Sequence, residues 1–273
     1  MGRPIQSDAG MVRNIKLILE YDGTNYHGWQ SQVTPRRDTP TIQETLEQAI
    51  KTLTGEDIRT VSSGRTDAGV HAFGHAAGFH TASRVPSEAF APALNHLLPP
   101  DIRVLSSEEA APDFHARYSA TGKIYRYLIL NRAAPSALYR TCAWHVRQRL
   151  NLRAMRLAAG ALRGKHDFSA FRSSACAART PVRTLRSLRI AQKAEFVEIL
   201  LEADAFLMHM ARNIVGTLVE VGLGRFSPGD VKGMLKSRDR TTAGRTAPPQ
   251  GLYLVTVFYK GGKKKTSVLQ KCD

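Results

Sequence analysis

The residue types best placed to do chemistry lie in Gly64-Arg65-Thr66-Asp67-Ala68-Gly69-Val70-His71-Ala72, where one carboxylate sits between an arginine and a glycine. A carboxylate in such a polar turn can serve as a nucleophile. Arg65 is near enough in sequence to offer it an opposite charge, and Gly69 permits backbone angles that other residues resist. The plainer reading is a structural Asp67, hydrogen-bonded to its own turn. A second candidate is Arg212. It belongs with His209, Asn213, Gly216 and Glu220 to a polar stripe on a stretch otherwise apolar through Phe206, Leu207, Met208, Met210, Ile214, Val215, Leu218 and Val219. That pattern predicts a helix buried over most of its circumference, and a buried arginine requires an ionised partner. Asp67 is the partner expected; a bridge to Glu220 or between domains, without catalytic meaning, is the alternative. The third candidate is Tyr125 in Lys123-Ile124-Tyr125-Arg126-Tyr127, where strand alternation puts Tyr125 and Tyr127 on one face and Arg126 on the other. Its ring is a core residue or a surface on which a nucleobase stacks.

These residues must be carried by a chain of 273 residues, enough for one large domain or two ordinary ones, with two lobes expected. The chain is 42% hydrophobic and 23% charged, and no apolar run reaches membrane-spanning length. The polar start, residues 1–10, reads as neither a signal peptide nor an anchor. Three widely spaced cysteines, Cys142, Cys176 and Cys272, fit neither a disulfide framework nor a metal motif, so a reducing cytoplasm is expected. The net charge is +16, and its location matters more than its size. Residues 114–194 hold seventeen Lys and Arg but one acid, Asp167, whereas the rest of the chain is neutral, with 22 basic and 22 acidic residues. A solvated face mixes both signs; an arginine-rich block of one sign, interleaved with Tyr118, Tyr125, Tyr127, Tyr139, Trp144, Phe168 and Phe171, suits a polyanion with bases to stack.

The elements that position the candidates follow from periodicity. Alternation predicts a strand over 14–21, ending at Asp22-Gly23. The capping box Thr41-x-x-Glu44 opens a helix carrying Ile42, Leu46, Ala49, Ile50 and Leu53. Strands over 58–63 and 72–80, a helix over 87–98 weakened by Pro92, and a strand over 102–105 complete a β-α-β-β-α-β order. That is the ferredoxin-like scheme shared by RNA-recognition motifs. After Asp113 the scheme recurs with additions: strands over 123–131 and 141–147, a helix over 151–162, and strands over 184–191 and 196–202. A long helix capped by Asp204 and ending near Gly222 and Gly224 follows, then a short helix over 227–236 and a strand over 252–259. His71, His75 and His80 do not converge as metal ligands do and read as structural or surface residues. Cys176 reads as an inert thiol, Gly222-Leu223-Gly224 as a helix stop instead of a phosphate loop, and Trp29 as a packing residue with RNA contact as the lesser alternative.

The motifs in order resemble the tRNA pseudouridine synthase A family. They are Tyr21-Asp22-Gly23, Gly28-Trp29-Gln30, the nine residues from Gly64, Asp113-Phe114-His115-Ala116-Arg117, Lys123-x-Tyr125-Arg126-Tyr127, Arg212-Asn213-Ile214-Val215-Gly216 and Gly251-Leu252-Tyr253-Leu254-Val255. Nothing departs from the pattern at the proposed catalytic positions; the differences are the first ten residues, the loop Pro35-Arg36-Arg37-Asp38 and the Lys-rich tail. The resemblance implies conversion of uridine to pseudouridine at positions 38, 39 and 40 of the tRNA anticodon stem-loop, with no cofactor and no metal. By motif position it makes Asp67 the nucleophile, Arg212 its ion-pair partner, and Tyr125 the ring that stacks on the target uracil and helps to remove the C5 proton. Arg65 then supports the catalytic turn or the flipped nucleotide's backbone. Arg117, Lys123, Arg126, Arg149, Arg153 and Arg156 of the basic segment are expected to bind substrate. The implied fold is α+β, with two ferredoxin-like lobes whose mainly antiparallel sheets join into one extended mixed sheet, the active-site cleft between them. Expected bounds are a flexible tail over 1–11, an N-terminal lobe over 12–113, a basic C-terminal lobe over 114–260 and a flexible tail over 261–273. The resemblance adds a homodimer, with one tRNA touching both subunits. The competing reading is a non-catalytic tRNA-binding or chaperone module with the same fold.

Overall fold

The computed structural model describes residues 12–30 and 39–261. The tails expected over 1–11 and 261–273 lie outside that range except for Gly261, as does the loop Pro35-Arg36-Arg37-Asp38.

Strand β1 (Arg13–Tyr21) obeys its sequence alternation, with Ile15, Leu17 and Leu19 fully buried. Helix α1 (Ile42–Thr54) opens on the capping box: the Thr41 hydroxyl accepts from the Glu44 amide, and the Glu44 carboxylate accepts from the Thr41 amide. It stops at left-handed Gly55. The strand expected over 58–63 shrinks to β2 (Val61–Ser62), because the chain before it is bonded to α1 and not to the sheet. There the Thr60 amide and hydroxyl donate to Glu47, and Gln43 donates to the Thr60 carbonyl. After β3 (His71–Thr81) comes α2 (Phe90–Leu97), preceded by a single 3-10 turn. Pro92 is tolerated because it falls in the first turn of α2, where amides lack intrahelical partners. Strand β4 (Ile102–Ala110) closes the first half.

The second half runs β5 (Ala120–Leu130), β6 (Trp144–His145), α3 (Leu152–Leu162), β7 (Gly164–Asp167), β8 (Val182–Lys193), β9 (Phe196–Ala203), α4 (Met210–Gly222), α5 (Asp230–Ser237) and β10 (Leu252–Tyr259). Three details differ from the sequence expectation. The strand over 141–147 contracts to β6, and β7, which shows no alternation, exists through its pairing with β8. The long helix begins at Met210 and is not capped by Asp204. The Asp204 carboxylate instead accepts from the Thr184 amide on β8 and from the amide of Ala205.

Both halves fold their β-α-β-β-α-β series into the same strand order. The first gives β4-β1-β3-β2 and the second β10-β5-β9-β8, with β7 added at the edge. The halves join where β10 pairs in parallel with one end of β3, Tyr253 opposite His71 and Leu254 opposite Ala72, leaving the other end of β3 to β2. One continuous mixed sheet results, and a single apolar core follows it through both halves. Each fully buried Leu or Ile in that core contributes about 2 kcal/mol of transfer free energy. No helix among the described residues is long and apolar enough to cross a membrane.

Candidate active site

Asp67 sits in the turn between β2 and β3, beside the seam of the two halves. Several of the bonds that hold the turn come from the first half. The Trp29 amide donates to the Thr66 carbonyl at 3.1 Å, the Val70 amide to the Asp67 carbonyl at 3.1 Å, and Gly69 takes the left-handed conformation anticipated for it. Beneath it, the Thr66 hydroxyl meets the Tyr21 hydroxyl at 2.9 Å, which meets His75 Nδ1 at 3.0 Å. The His75 ring stacks on Trp29 at 4.1 Å. Burial, aided by Lys123, holds His75 neutral with a pKa of about 3, and burial pushes the Tyr21 phenol up. The Tyr21 and His75 side chains beneath the turn are therefore uncharged.

The second half reaches Asp67 from α4. Arg212 Nη1 donates to Asp67 Oδ2 at 2.6 Å, and Arg212 Nε donates to the Ala247 carbonyl at 2.7 Å, which fixes the guanidinium. Ala247 lies there because the chain before it runs directly against α4. A Cβ on Gly216 would come within 1.7 Å of the Arg245 carbonyl oxygen, so only glycine allows that approach. Glu220 takes no part: it pairs with Arg225 at 2.7 Å and Arg245 at 3.1 Å. His209 is the partner that sequence reasoning missed. Its Nε2 stands 3.4 Å from Asp67 Oδ2, from a residue at φ 62 immediately before α4. A left-handed non-glycine backbone is strained, and such strain concentrates at functional sites. The signal available was its three-residue spacing from Arg212 on the polar stripe. The Asp67 side chain is 26% exposed, and its Oδ1 makes no hydrogen bond among the described residues.

Tyr125 is buried on β5 with its ring edge-on to Phe206 at 4.9 Å. Burial, with the Asp67 charge adding to it, raises its phenol pKa, so the ring stays neutral. A phenol held in that form is poorly suited to take up the C5 proton, and stacking is the role its environment favours. Tyr127 is tied away, donating to the Pro248 carbonyl at 2.7 Å. Arg65 is exposed and makes no hydrogen bond or ion pair among the described residues. Arg126 faces away from Tyr125 and is engaged by Glu198 at 2.6 Å. Arg117 is exposed, 5.6 Å from the Tyr118 ring, and Lys123 donates to the Ser63 carbonyl. Arg149 and Arg153 are exposed at the start of α3, and Arg156 Nε bonds to the Ile190 carbonyl at 3.0 Å. These last three are not gathered at Asp67.

Among the described residues no group of three His, Cys, Asp or Glu is placed to hold a metal ion. His71 instead bridges the halves, accepting from the Gly23 amide through Nδ1 and lying 3.0 Å from the Thr141 carbonyl and 3.1 Å from the Gln250 carbonyl through Nε2.

A carboxylate with one oxygen unbonded among the described residues, a largely covered guanidinium behind it and a neutral ring nearby is a set of parts found in more than one chemistry. Comparison with known proteins narrows it. The family model described as tRNA pseudouridine synthase matches residues 17–119 and 158–260. The chain belongs to the tRNA pseudouridine synthase family. A protein named tRNA pseudouridine synthase A from Acetivibrio thermocellus is 50% identical over 91% of this chain and 100% of its own length. Proteins of the same name from Geotalea uraniireducens and a Thermoanaerobacter species are 49% and 46% identical over the same shares. The two segments matched by the tRNA pseudouridine synthase model contain Asp67 in the first and Arg212 in the second. The side chains that meet at 2.6 Å therefore come from both segments of the family match.

Proposed function

We propose that this protein isomerises uridine to pseudouridine at positions 38, 39 and 40 of the tRNA anticodon stem-loop, with Asp67 as nucleophile on a flipped-out uridine. The observation that carries the reading is the Asp67 carboxylate, held by Arg212 through one oxygen, with its other oxygen unbonded among the described residues. Isomerisation must break the bond from ribose C1′ to uracil N1, turn the base, and rejoin it through C5. Each route needs a carboxylate near C1′ and C6, and Asp67 supplies it. Arg212 and His209 orient it, while Tyr125 stacks on the uracil. Extrusion of the uridine costs a few kcal/mol, offset by stacking and by phosphate contacts from the basic second half. Arg65, exposed in the turn, and Arg117, exposed and close enough to act on Lys123, are suited to the backbone of the flipped nucleotide. Arg149, Arg153 and Arg156 are suited to the flanking stem. The reading includes no cofactor. We extend the reading to a cytoplasmic homodimer in which one tRNA touches both subunits.

The experiment is Asp67→Asn, followed by tritium release from C5-labelled uridine in tRNA. Turnover should fall at least ~10³-fold. Affinity for tRNA should stay equal or rise, since a negative charge facing a polyanion is removed. Persisting tritium release would show that Asp67 is not the nucleophile. Wild-type protein that binds tRNA but releases no tritium would favour a non-catalytic RNA-binding module.

A further inference from the structure

Lys123 reaches from the second half into the first. It lies on β5 two residues before Tyr125 and therefore on the same face. Its Nζ donates to the Ser63 carbonyl at 2.7 Å, at the start of the turn that carries Asp67. A Cβ on Gly64 would lie 2.5 Å from that Nζ, and the next nearest atom is Cε of the same lysine at 3.8 Å. Among the described residues, the space beside Gly64 is thus filled by this one side chain. No carboxylate among the described residues pairs with Lys123, and burial, reinforced by Arg117, draws its pKa down to about 8. A covered ammonium bonded to a neutral carbonyl is poorly placed to serve as a free phosphate contact.

We propose that Lys123 is a positioning residue: it ties the strand bearing Tyr125 to the turn bearing Asp67, with the bare α-carbon of Gly64 as its seat. The inference rests on the reading of Asp67 and Tyr125 given above. Arg212 binds the carboxylate of the turn to α4; Lys123 binds the backbone of the same turn to β5. The two tethers fix the nucleophile relative to the stacking ring in two directions. A displacement of about 1 Å at such a site costs on the order of 10²-fold in rate.

The test is a double-mutant cycle of Lys123→Met and Gly64→Ala, measured on the full chain with tRNA. Gly64 is not in a left-handed conformation, so alanine there adds only a methyl that meets the flexible lysine tip. Each single variant should keep its melting temperature within a few degrees and lose about 10- to 100-fold in kcat. The tRNA Kd and its salt slope should be unchanged. In the Lys123→Met background, Gly64→Ala should add nothing, because the atom it displaces is gone. Two results would overturn the proposal. One is a raised Kd and a salt slope reduced by about one with kcat preserved, which would make Lys123 a phosphate contact. The other is a Gly64→Ala effect of equal size in both backgrounds. The cycle reads coupling of Lys123 to Gly64 whichever residue is the nucleophile, so its failure is distinct from a failure of the Asp67→Asn test.

Discussion

Helix α4 carries one member of each of two ion pairings, Arg212 and Glu220, and the two are built in opposite ways. Glu220 is 8% exposed and both its oxygens are engaged, while its partners Arg225 and Arg245 are 55% and 56% exposed. At Asp67 the guanidinium is the covered member, 13% exposed and anchored on the Ala247 carbonyl, while the carboxylate is 26% exposed. The Glu220 arrangement is a staple: it ties the end of α4 to Arg225 just beyond it and to Arg245 in the segment packed alongside. The Asp67 arrangement presents an acid. Which partner is buried, more than the existence of an ion pair, separates a structural bridge from a candidate for chemistry.

The contrast can be broken by removing one member of each pair. Arg212→Met should have the largest effect, lowering kcat by about 10²–10³-fold with little change in tRNA affinity, because it removes a fixed charge at the reacting group. A variant with normal kcat would reduce the Asp67 pair to a bridge like the other. Glu220→Gln should do the reverse. We expect a loss of about 1–3 kcal/mol in stability, discounted for the exposure of both arginines, with kcat of the folded protein unchanged. Chemical denaturation together with turnover separates these outcomes.

The support beneath the Asp67 turn responds to pH. The Asp67 turn rests on neutral His75, whose folded-state pKa of about 3 lies below the ordinary 6.5. A depressed histidine pKa means that the unfolded chain binds a proton the folded chain refuses. Stability is therefore complete above pH 6.5 and declines as pH falls towards 3. At pH 5 the loss from this residue is about 2 kcal/mol, visible as a lowered Tm, and His75→Gln should flatten the decline. The smallest effect is expected for His209→Ala. At 3.4 Å from Asp67 it is a secondary partner, and a reduction of about three- to tenfold in kcat, without change in Tm, would place it there.

Local rules made β1 and α1 legible, since alternation and a capping box act within a few residues. They misled at Asp204, which has the right type for a helix cap but bonds to Thr184 on a neighbouring strand. They were silent at β7, a polar segment that is a strand only because β8 lies beside it. The pairing of Arg212 with Asp67 was anticipated because a cation on a buried helix demands an acid. Arg126 shows the limit of that logic. It sits in the same motif as Tyr125, yet the sheet register brings Glu198 to it and engages it away from the site.

The sequence by itself determined the element order of both halves apart from β7, the confinement of the excess charge to residues 114–194, and the residue types in the motifs, because these depend on composition and short-range pattern. Only the tertiary structure decided that β10 docks on β3, that His209 turns left-handed toward Asp67, and that Lys123 fills the space beside Gly64. Those contacts join residues far apart in the chain, and their geometry depends on how two separately patterned sheets meet.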